Sequence, residues 1–301
     1  MKVLLTGSTG FLGRNIIKVL KEQEYQIVTL GNPSTDIVCD ISKELPNFSQ
    51  SFNYVIHAAG KAHVVPKSDS EKQEFHDVNV KGTQNLLEGL ERSNFLPQYF
   101  IFISSVSVYG LHHGVKIDEN YPLLAKDAYG ISKIKAEKIV QNWCDKNKIK
   151  CTILRLPLLV GINPPGNLGS MSNAIKKGYY FNIGGGKAKK SMVLAEDVAK
   201  FIIYVAKIGG VYHLTDSIDP NFKELSLAIA KINNKSVPLN MPIIFAKLLG
   251  KCGDIFGSKS PINSLKVAKI CSELTFDDSK SRSIKEWKPN SVLEYIKKNI
   301  L

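Results

Sequence analysis

Between an apolar run and a helix-like segment the chain carries Thr6-Gly7-Ser8-Thr9-Gly10-Phe11-Leu12-Gly13, three glycines at three-residue intervals. Val3–Thr6 reads as a buried strand, and Phe11 to about Lys21 as the helix that follows it. Each glycine has its own reason. Gly7 permits the tight turn, Gly10 lets the backbone approach a pyrophosphate, and Gly13 lets the helix pack closely on the sheet. The helix N-terminus then offers free N–H groups and its positive dipole end to an anion. In a chain with 22 glycines such a string arises by chance about 0.1 times, and the strand–loop–helix setting adds weight to it. Gly7, Thr9, Gly10, Phe11, Leu12 and Gly13 are thus candidate dinucleotide contacts; a Gly-rich turn without a ligand is the alternative.

Short apolar runs alternate with helix-like segments through the first two-thirds of the 301 residues. Further strands are expected at Gln26–Leu30, Asp36–Cys39, Tyr54–Ala58, Tyr99–Ser105, Cys151–Leu156 and Val211–Leu214. Helical spacing runs over Phe75–Glu91, Tyr129–Lys146 and Ala195–Ala206. This is the pattern of a doubly wound, Rossmann-type parallel α/β sheet. After Gly161 the character changes, with loop signals at Asn163-Pro164-Pro165-Gly166-Asn167 and Gly184-Gly185-Gly186. From Asp219 onward short helices are broken by Pro238, Pro242, Pro261 and Pro289. The expected division is a nucleotide-binding domain over 1–161, rejoined by 191–215, with 162–190 and 216–301 forming a smaller, mainly helical substrate cap.

The formal charge of +13 raises the question of nucleic acid. Only four of the 40 basic residues are arginine, and the lysines form no stripe interleaved with aromatics. Nucleic-acid binding is not expected; the lysines read as a solvated surface that favours anionic ligands. Five cysteines, odd in number and without a CxxC pair, read as reduced structural thiols, and no metal-ligand cluster is present in the sequence. Three apolar residues before Thr6 are too few for a signal-peptide core, and no run is long enough to span a membrane. A cytoplasmic protein is expected.

An acid at the end of the second strand would bind a ribose diol, and a base there a 2′-phosphate. The stretch Leu30-Gly31-Asn32-Pro33-Ser34 has neither; Asn32 or Ser34 can hydrogen-bond either cofactor. NAD or NADP is expected, with NAD the first choice.

Tyr129-Gly130-Ile131-Ser132-Lys133 puts a phenol and an ammonium four residues apart on one helix face. With eleven tyrosines and so many lysines, about one YxxxK match arises by chance. Position gives it meaning: the motif opens the helix after the strand ending in Ile103-Ser104-Ser105, at the carboxyl edge where open α/β sheets bind ligands. Tyrosine titrates near 10. A Lys133 cation and an oxidised nicotinamide would both favour the phenolate, making Tyr129 an acid/base near neutral pH, with Ser105 bonding the same substrate oxygen. The bland alternative is a helix-start aromatic, a surface lysine and a strand-end hydroxyl.

Taken together, these residues resemble the extended short-chain dehydrogenase/reductases, in their nucleotide-sugar epimerase and 4-keto-sugar reductase branch. The resemblance runs along essentially the whole chain. It includes TGxxGxxG at Thr6–Gly13, Asp40-Ile41, His57-Ala58-Ala59-Gly60, the NxxGT element at Asn79–Thr83, Ser105–Gly110, Tyr129 with Lys133, and Arg155-Leu156-Pro157. Met192–Ala199 and Asp277 through Lys280 to Trp287-Lys288-Pro289 agree as well. It implies catalytic Ser105, Tyr129 and Lys133. Asp40, Ile41, Ala58, Ala59, Gly60, Asn79, Ser104 and Pro157 would join the glycine loop, Asn32, Tyr129 and Lys133 around the cofactor. The implied substrate is a nucleoside-diphosphate sugar, with Lys61, Ser105, Val106, Tyr129, Asn167 and Lys190 as candidate contacts. Lys187 and Lys189 are further diphosphate candidates, and an exposed basic loop or a loop-capping Asn is an equal reading of that region.

The implied chemistry is hydride transfer, with Tyr129 taking a proton from a sugar hydroxyl or, in reverse, giving one to a ketone. Two departures narrow it. Sugar 4,6-dehydratases of this family carry acid residues directly after the serine position, where this chain has Val106-Ser107, so elimination is not expected. Leu158 stands where many hexose 4-epimerases have a substrate-binding Asn. An epimerase or a 4-keto reductase, acting at C4 in surface-polysaccharide sugar biosynthesis, remains. A reductase of small ketones or aldehydes and a non-catalytic dinucleotide sensor are the alternatives. A homodimer through Phe75–Glu91 and Tyr129–Lys146 is possible on this resemblance, although those apolar stripes equally suit an ordinary core.

Overall fold

The computed structural model describes residues 1–31, 33–62, 64–255, 263–299 and 301, so Asn32 and Pro261 lie outside the described residues. The first half runs β1 (Lys2–Thr6), α1 (Phe11–Glu22), β2 (Gln26–Gly31), β3 (Ile37–Val38), β4 (Tyr54–His57), α2 (Asp69–His76), α3 (Gly82–Arg92), β5 (Tyr99–Ser105), β6 (Gly114–Ile117) and α4 (Ala128–Asn147). It continues with β7 (Lys150–Leu156), β8 (Leu158–Val160), α5 (Gly166–Lys176), β9 (Phe181–Ile183), β10 (Met192–Leu194), α6 (Ala195–Ile208) and β11 (Gly210–Tyr212). The remainder is α7 (Phe222–Ile232), β12 (Leu239–Met241), α8 (Ile243–Ile255), α9 (Ser264–Cys271), β13 (Leu274–Phe276), α10 (Ser279–Arg282) and α11 (Val292–Lys298).

Seven strands form one parallel sheet in the order β11-β7-β5-β4-β1-β2-β3. From β1 the chain steps outward to β2 and β3, then returns to lay β4 on β1's other side. That reversal opens a crevice at the carboxyl ends of β1 and β4, the place where such folds bind ligands. The glycine loop and Ala58-Ala59-Gly60 lie at its two lips.

Both sheet faces are covered, which is why the strands are near-continuous apolar runs rather than alternating ones. On one face α1 and α6 bury Leu12, Ile16, Val19 and Leu20 with Val198, Ile202 and Val205. On the other α3 and α4 bury Leu86, Leu87, Leu90, Val140 and Trp143. Each such side chain contributes about 2 kcal/mol of burial. The apolar stripes of Phe75–Glu91 and of the Tyr129 helix are therefore taken up inside the chain. The expected single helix over Phe75–Glu91 is instead α2 and α3, joined by one wider π turn over Asp77–Lys81.

A third core lies in the C-terminal part, where α5, α7 and α11 pool Leu168, Met171, Ile175, Leu225, Ile229, Val292 and Ile296. Three small parallel pairs lie outside the main sheet, β8 with β10, β9 with β12 and β6 with β13, the last joining this part to the segment after β5. Among the described residues no helix is long and apolar enough to cross a membrane, and no group of acidic, His and Cys side chains could hold a metal ion.

Candidate active site

The glycine loop is packed to the limit. A Cβ on Gly7, whose φ is +71°, would lie 2.6 Å from the Ala58 carbonyl carbon and the Ala59 nitrogen. One on Gly13 would lie 2.1 Å from the Gly7 carbonyl oxygen. Gly10 caps α1 with no side-chain hydrogen bond, and the first turn holds no acid. The helix therefore presents its positive end without a competing carboxylate, which fits a dinucleotide diphosphate in a cradle that only glycine leaves open. Arg14, one turn into the helix, hydrogen-bonds the Thr9 carbonyl. Phe11 also bounds the loop, 3.0 Å from where a Gly161 Cβ would stand.

Beneath the crevice runs a buried polar chain whose proton directions are dictated by its ends. Ala59 N–H donates to Thr6 Oγ1 at 3.1 Å, and Thr6 shares a 2.7 Å bond with His57 Nδ1. Thr83 donates to the Asn79 carbonyl, so it accepts from His57 Nε2, 2.9 Å away. His57 is thus neutral with its proton on Nε2, as its burial demands; desolvation pulls its pKa down to about 3. Asn79 extends the lattice. Its Oδ1 accepts from Lys61 N at 2.7 Å and its Nδ2 donates to Ser132 Oγ at 2.8 Å, while Ser132 donates to the Tyr129 carbonyl. The cofactor-side loop after β4 is in this way bolted to the helix that carries Tyr129 and Lys133.

Asp127 starts that helix, accepting from Gly130 N at 3.0 Å. Gly130 is where the helix leans on the turn Val106–Tyr109: a Cβ there would lie 2.8 Å from the Ser107 carbonyl oxygen. This approach brings the Tyr129 phenol beside Ser105, which pulls its pKa down. Phe75 of α2 packs on the Tyr129 ring, centroids 6.1 Å apart. Ser105 Oγ also donates to Ser107 Oγ at 3.2 Å and accepts from Ser107 N.

Lys133 reaches the same site from one turn on. Its Nζ donates to the Ile103 carbonyl at 2.8 Å, sits over the Phe102 ring and lies 3.2 Å from where a Gly60 Cβ would stand. Burial depresses its pKa to about 8, against the pull of Glu137. Burial raises the Tyr129 pKa, Ser105 pulls it back, and Lys133 is not among the groups that set it. In the protein alone burial favours the protonated phenol.

The other candidates fall variously. Asp40 is engaged by Ser42 and Lys43, and Ile41 packs at the edge of the second core. Ser104 donates to Glu137, facing away from the crevice toward a buried network. Pro157 links β7 to β8. Val106 opens the turn beside Ser105. Lys61 does not stand free in the cleft: Glu74 binds its ammonium, which lies over Phe75. Asn167 is exposed in the first turn of α5. Lys190 donates to the Lys269 carbonyl at 3.2 Å, and burial lowers its pKa to about 8.

Sequence reasoning missed the network behind the site. Arg155 pairs with Glu137 through Nε and Nη2, and its Nη1 reaches the Tyr109 hydroxyl at 3.0 Å. Tyr109 in turn bonds His213 Nε2 at 2.6 Å, and His213 Nδ1 bonds the Asp277 carbonyl. Glu137 lies one helical turn beyond Lys133, so this cluster supports the lysine electrostatically. Ser132 was missed too; its place in YxxSK was the one available signal.

The sequence pattern of the NAD dependent epimerase/dehydratase family matches residues 3–213. The chain is 29% identical over 300 residues to the N-acetyl-alpha-D-glucosaminyl-diphospho-ditrans,octacis-undecaprenol 4-epimerase of Escherichia coli O157:H7, covering 93% of this chain and 88% of that protein. It is 29% identical over 322 residues to the UDP-glucose 4-epimerase of Vibrio cholerae, covering 97% and 92%. Its fold matches that of the UDP-glucuronic acid 4-epimerase from Bacillus cereus in complex with NAD, with a TM-score of 0.74 at 19% identity over 99% of this chain and 94% of that one.

Proposed function

Because the chain belongs to the NAD-dependent epimerase/dehydratase family, we propose that it inverts C4 of a sugar carried on a diphosphate, with Ser105, Tyr129 and Lys133 as its catalytic set. The observation that carries this reading is that Ser105, at the carboxyl edge of β5, lies beside the Tyr129 phenol and lowers its pKa, with the Lys133 ammonium one helical turn away. Bound NAD supplies the hydride acceptor and donor. Tyr129 Oη takes the proton of the C4 hydroxyl and returns it to that same oxygen once the sugar has turned its other face to the hydride donor, while Ser105 holds the oxygen. The phenol is high in the protein alone, so ionisation is tied to the filled site, where positive charge replaces water. Gly7, Thr9, Gly10, Phe11, Leu12, Gly13, Ala58, Ala59, Gly60 and Asn79 hold the dinucleotide, with Asp40 and Ile41 at its adenine end. The part over 162–190 and 216–301 covers the sugar carrier, and Lys190 and Asn167 meet its diphosphate. A cytoplasmic homodimer belongs to the same reading.

Both relatives named above are 4-epimerases aligned over nearly the whole chain, which favours epimerisation over net reduction. The chain has Val106-Ser107 after Ser105, without the acid that elimination needs. A second reading follows from the Escherichia coli relative: the carrier is a polyprenyl diphosphate in place of a nucleoside diphosphate. The test is incubation with NAD and, separately, UDP-glucose, UDP-N-acetylglucosamine and undecaprenyl-diphosphate-N-acetylglucosamine, followed by NMR of the sugar. A mixture of C4 epimers without net NADH is the expected result. Stoichiometric NAD(P)H consumption with a 4-keto sugar, and no epimer, would overturn it.

A further inference from the structure

Helix α8 is inside out. A surface helix ordinarily turns its large apolar residues inward and its polar ones to water. Here the buried positions are Ala246, Gly250 and Gly253, small residues on one face. A Cβ on Gly250 would lie 3.1 Å from the Ser264 nitrogen, so α8 lies tightly against the start of α9 with no large side chain between them. The large residues point the other way. Ile244, Phe245, Leu248 and Ile255 are 76%, 61%, 59% and 83% exposed, and Leu249 joins them. At 100° per residue these five fall on one arc opposite the buried small residues. Leu265 of α9 and Leu239 of β12 add exposed apolar surface nearby.

The charge around this face is mainly positive. Among the described residues, α8 and α9 carry Lys247, Lys251, Lys266 and Lys269 against one acid, Asp254, which accepts from Ser264. Lys247 and Lys251, four apart and both exposed, follow one flank of the apolar arc. An apolar arc bordered by lysines suits an interface whose interior is hydrocarbon and whose surface is anionic. It suits a second copy of the chain poorly. Two-fold pairing would set Lys247 and Lys251 of both molecules against each other on chains of net charge +13. The face also adjoins the cap's basic loop. Ile243 packs at the turn Gly184–Gly186, and α9 accepts the hydrogen bond from Lys190.

We propose that the outward face of α8 docks this protein on an anionic phospholipid bilayer, the helix lying in the plane of the surface with Lys247 and Lys251 at the phosphates. The inference does not depend on which carrier the substrate has. An enzyme for water-soluble sugar nucleotides with this face would bind vesicles equally.

The test is co-sedimentation of the full chain with vesicles of phosphatidylethanolamine and phosphatidylglycerol, and with vesicles of phosphatidylcholine alone. Binding to the anionic vesicles at least about tenfold tighter than to the neutral ones, weakening with salt, is expected. The double substitutions Phe245→Glu with Leu248→Glu, and Lys247→Glu with Lys251→Glu, are each expected to reduce binding by about tenfold or more. Turnover of a water-soluble substrate should be unchanged in both. No anionic preference, or undiminished binding by both variants, would overturn the proposal. So would a wild-type dimer that the Phe245/Leu248 substitution splits in vesicle-free solution, since the face would then join two copies. Should a variant fail to fold, hydrogen exchange of the wild type decides. Vesicles should slow exchange across 243–255, and unchanged exchange there would sink the idea.

Discussion

Lys133 Nζ donates to the Ile103 carbonyl, 2.8 Å away, so the candidate lysine is tied to the strand that ends in Ser105 and not to the phenol it follows in sequence. This tether places a cation in a buried site that resists it.

Lys133→Met is expected to raise stability while abolishing turnover. Burial lowers the lysine from 10.5 to about 8, so at neutral pH its protonated form opposes folding by about 3 kcal/mol. Below pH 8 that cost is fully present. Between pH 8 and 10.5 the unfolded chain holds a proton the folded one lacks, and stability rises with pH. Removing the ammonium but orphaning the Ile103 carbonyl should net about 1–3 kcal/mol at pH 7 by urea unfolding. A destabilised variant would contradict this account.

Ser105→Ala should lower kcat about 10–100-fold and move its pH dependence. Ser105 holds the Tyr129 pKa below where burial alone would put it. Without it the phenolate forms at higher pH, so the rising limb of the kcat profile shifts to the alkaline side. A shift to lower pH, or none, would show that Ser105 does not act on the phenol.

Gly130→Ala tests the approach that brings phenol and serine together. The added carbon would meet Ala125 Cβ at 2.4 Å and the Ser107 carbonyl at 2.8 Å, pushing the start of α4 outward. A displacement on the order of 1 Å costs about a hundredfold in kcat. Dinucleotide affinity, measured by fluorescence titration, should change little because the glycine loop is untouched. Equal losses in both would mean a general defect of folding.

His57 should dominate part of the acid sensitivity. Its pKa falls from 6.5 to about 3 on folding, so it contributes stability above pH 6.5 that is lost as pH drops toward 3. The slope amounts to about 1.4 kcal/mol per pH unit for one proton. His57→Gln keeps a donor and an acceptor in place and should flatten that slope in urea titrations from pH 6 to 4. Parallel slopes would assign the protons elsewhere.

The nucleotide-binding half was legible because its signals are local. Val3–Thr6, the three glycines and the Tyr129–Lys133 spacing each sit within one element or one turn, and β1, β5 and α4 fall where they were expected. What depends on distant partners was not. Glu137 and Arg155 are 18 apart, and Tyr109 and His213 are 104 apart. Nothing in composition or period joins them. The three-residue strands of the C-terminal part are too short to leave an alternating pattern. Spacing placed Lys133 on the right face without saying which acceptor its ammonium would find, here the Ile103 carbonyl.

The one-way proton chain from Ala59 through Thr6, His57 and Thr83 to Asn79 bears on how such a sequence can drift. Replacing Thr6 alone by valine strands both the Ala59 amide and the His57 Nδ1. Replacing Thr83 alone strands Nε2. Neither step is silent without the others, so the three side chains form one heritable character, kept whole or exchanged whole. Loop, strand and helix, separated by up to 77 positions between Thr6 and Thr83, are thereby bound to a shared substitution history.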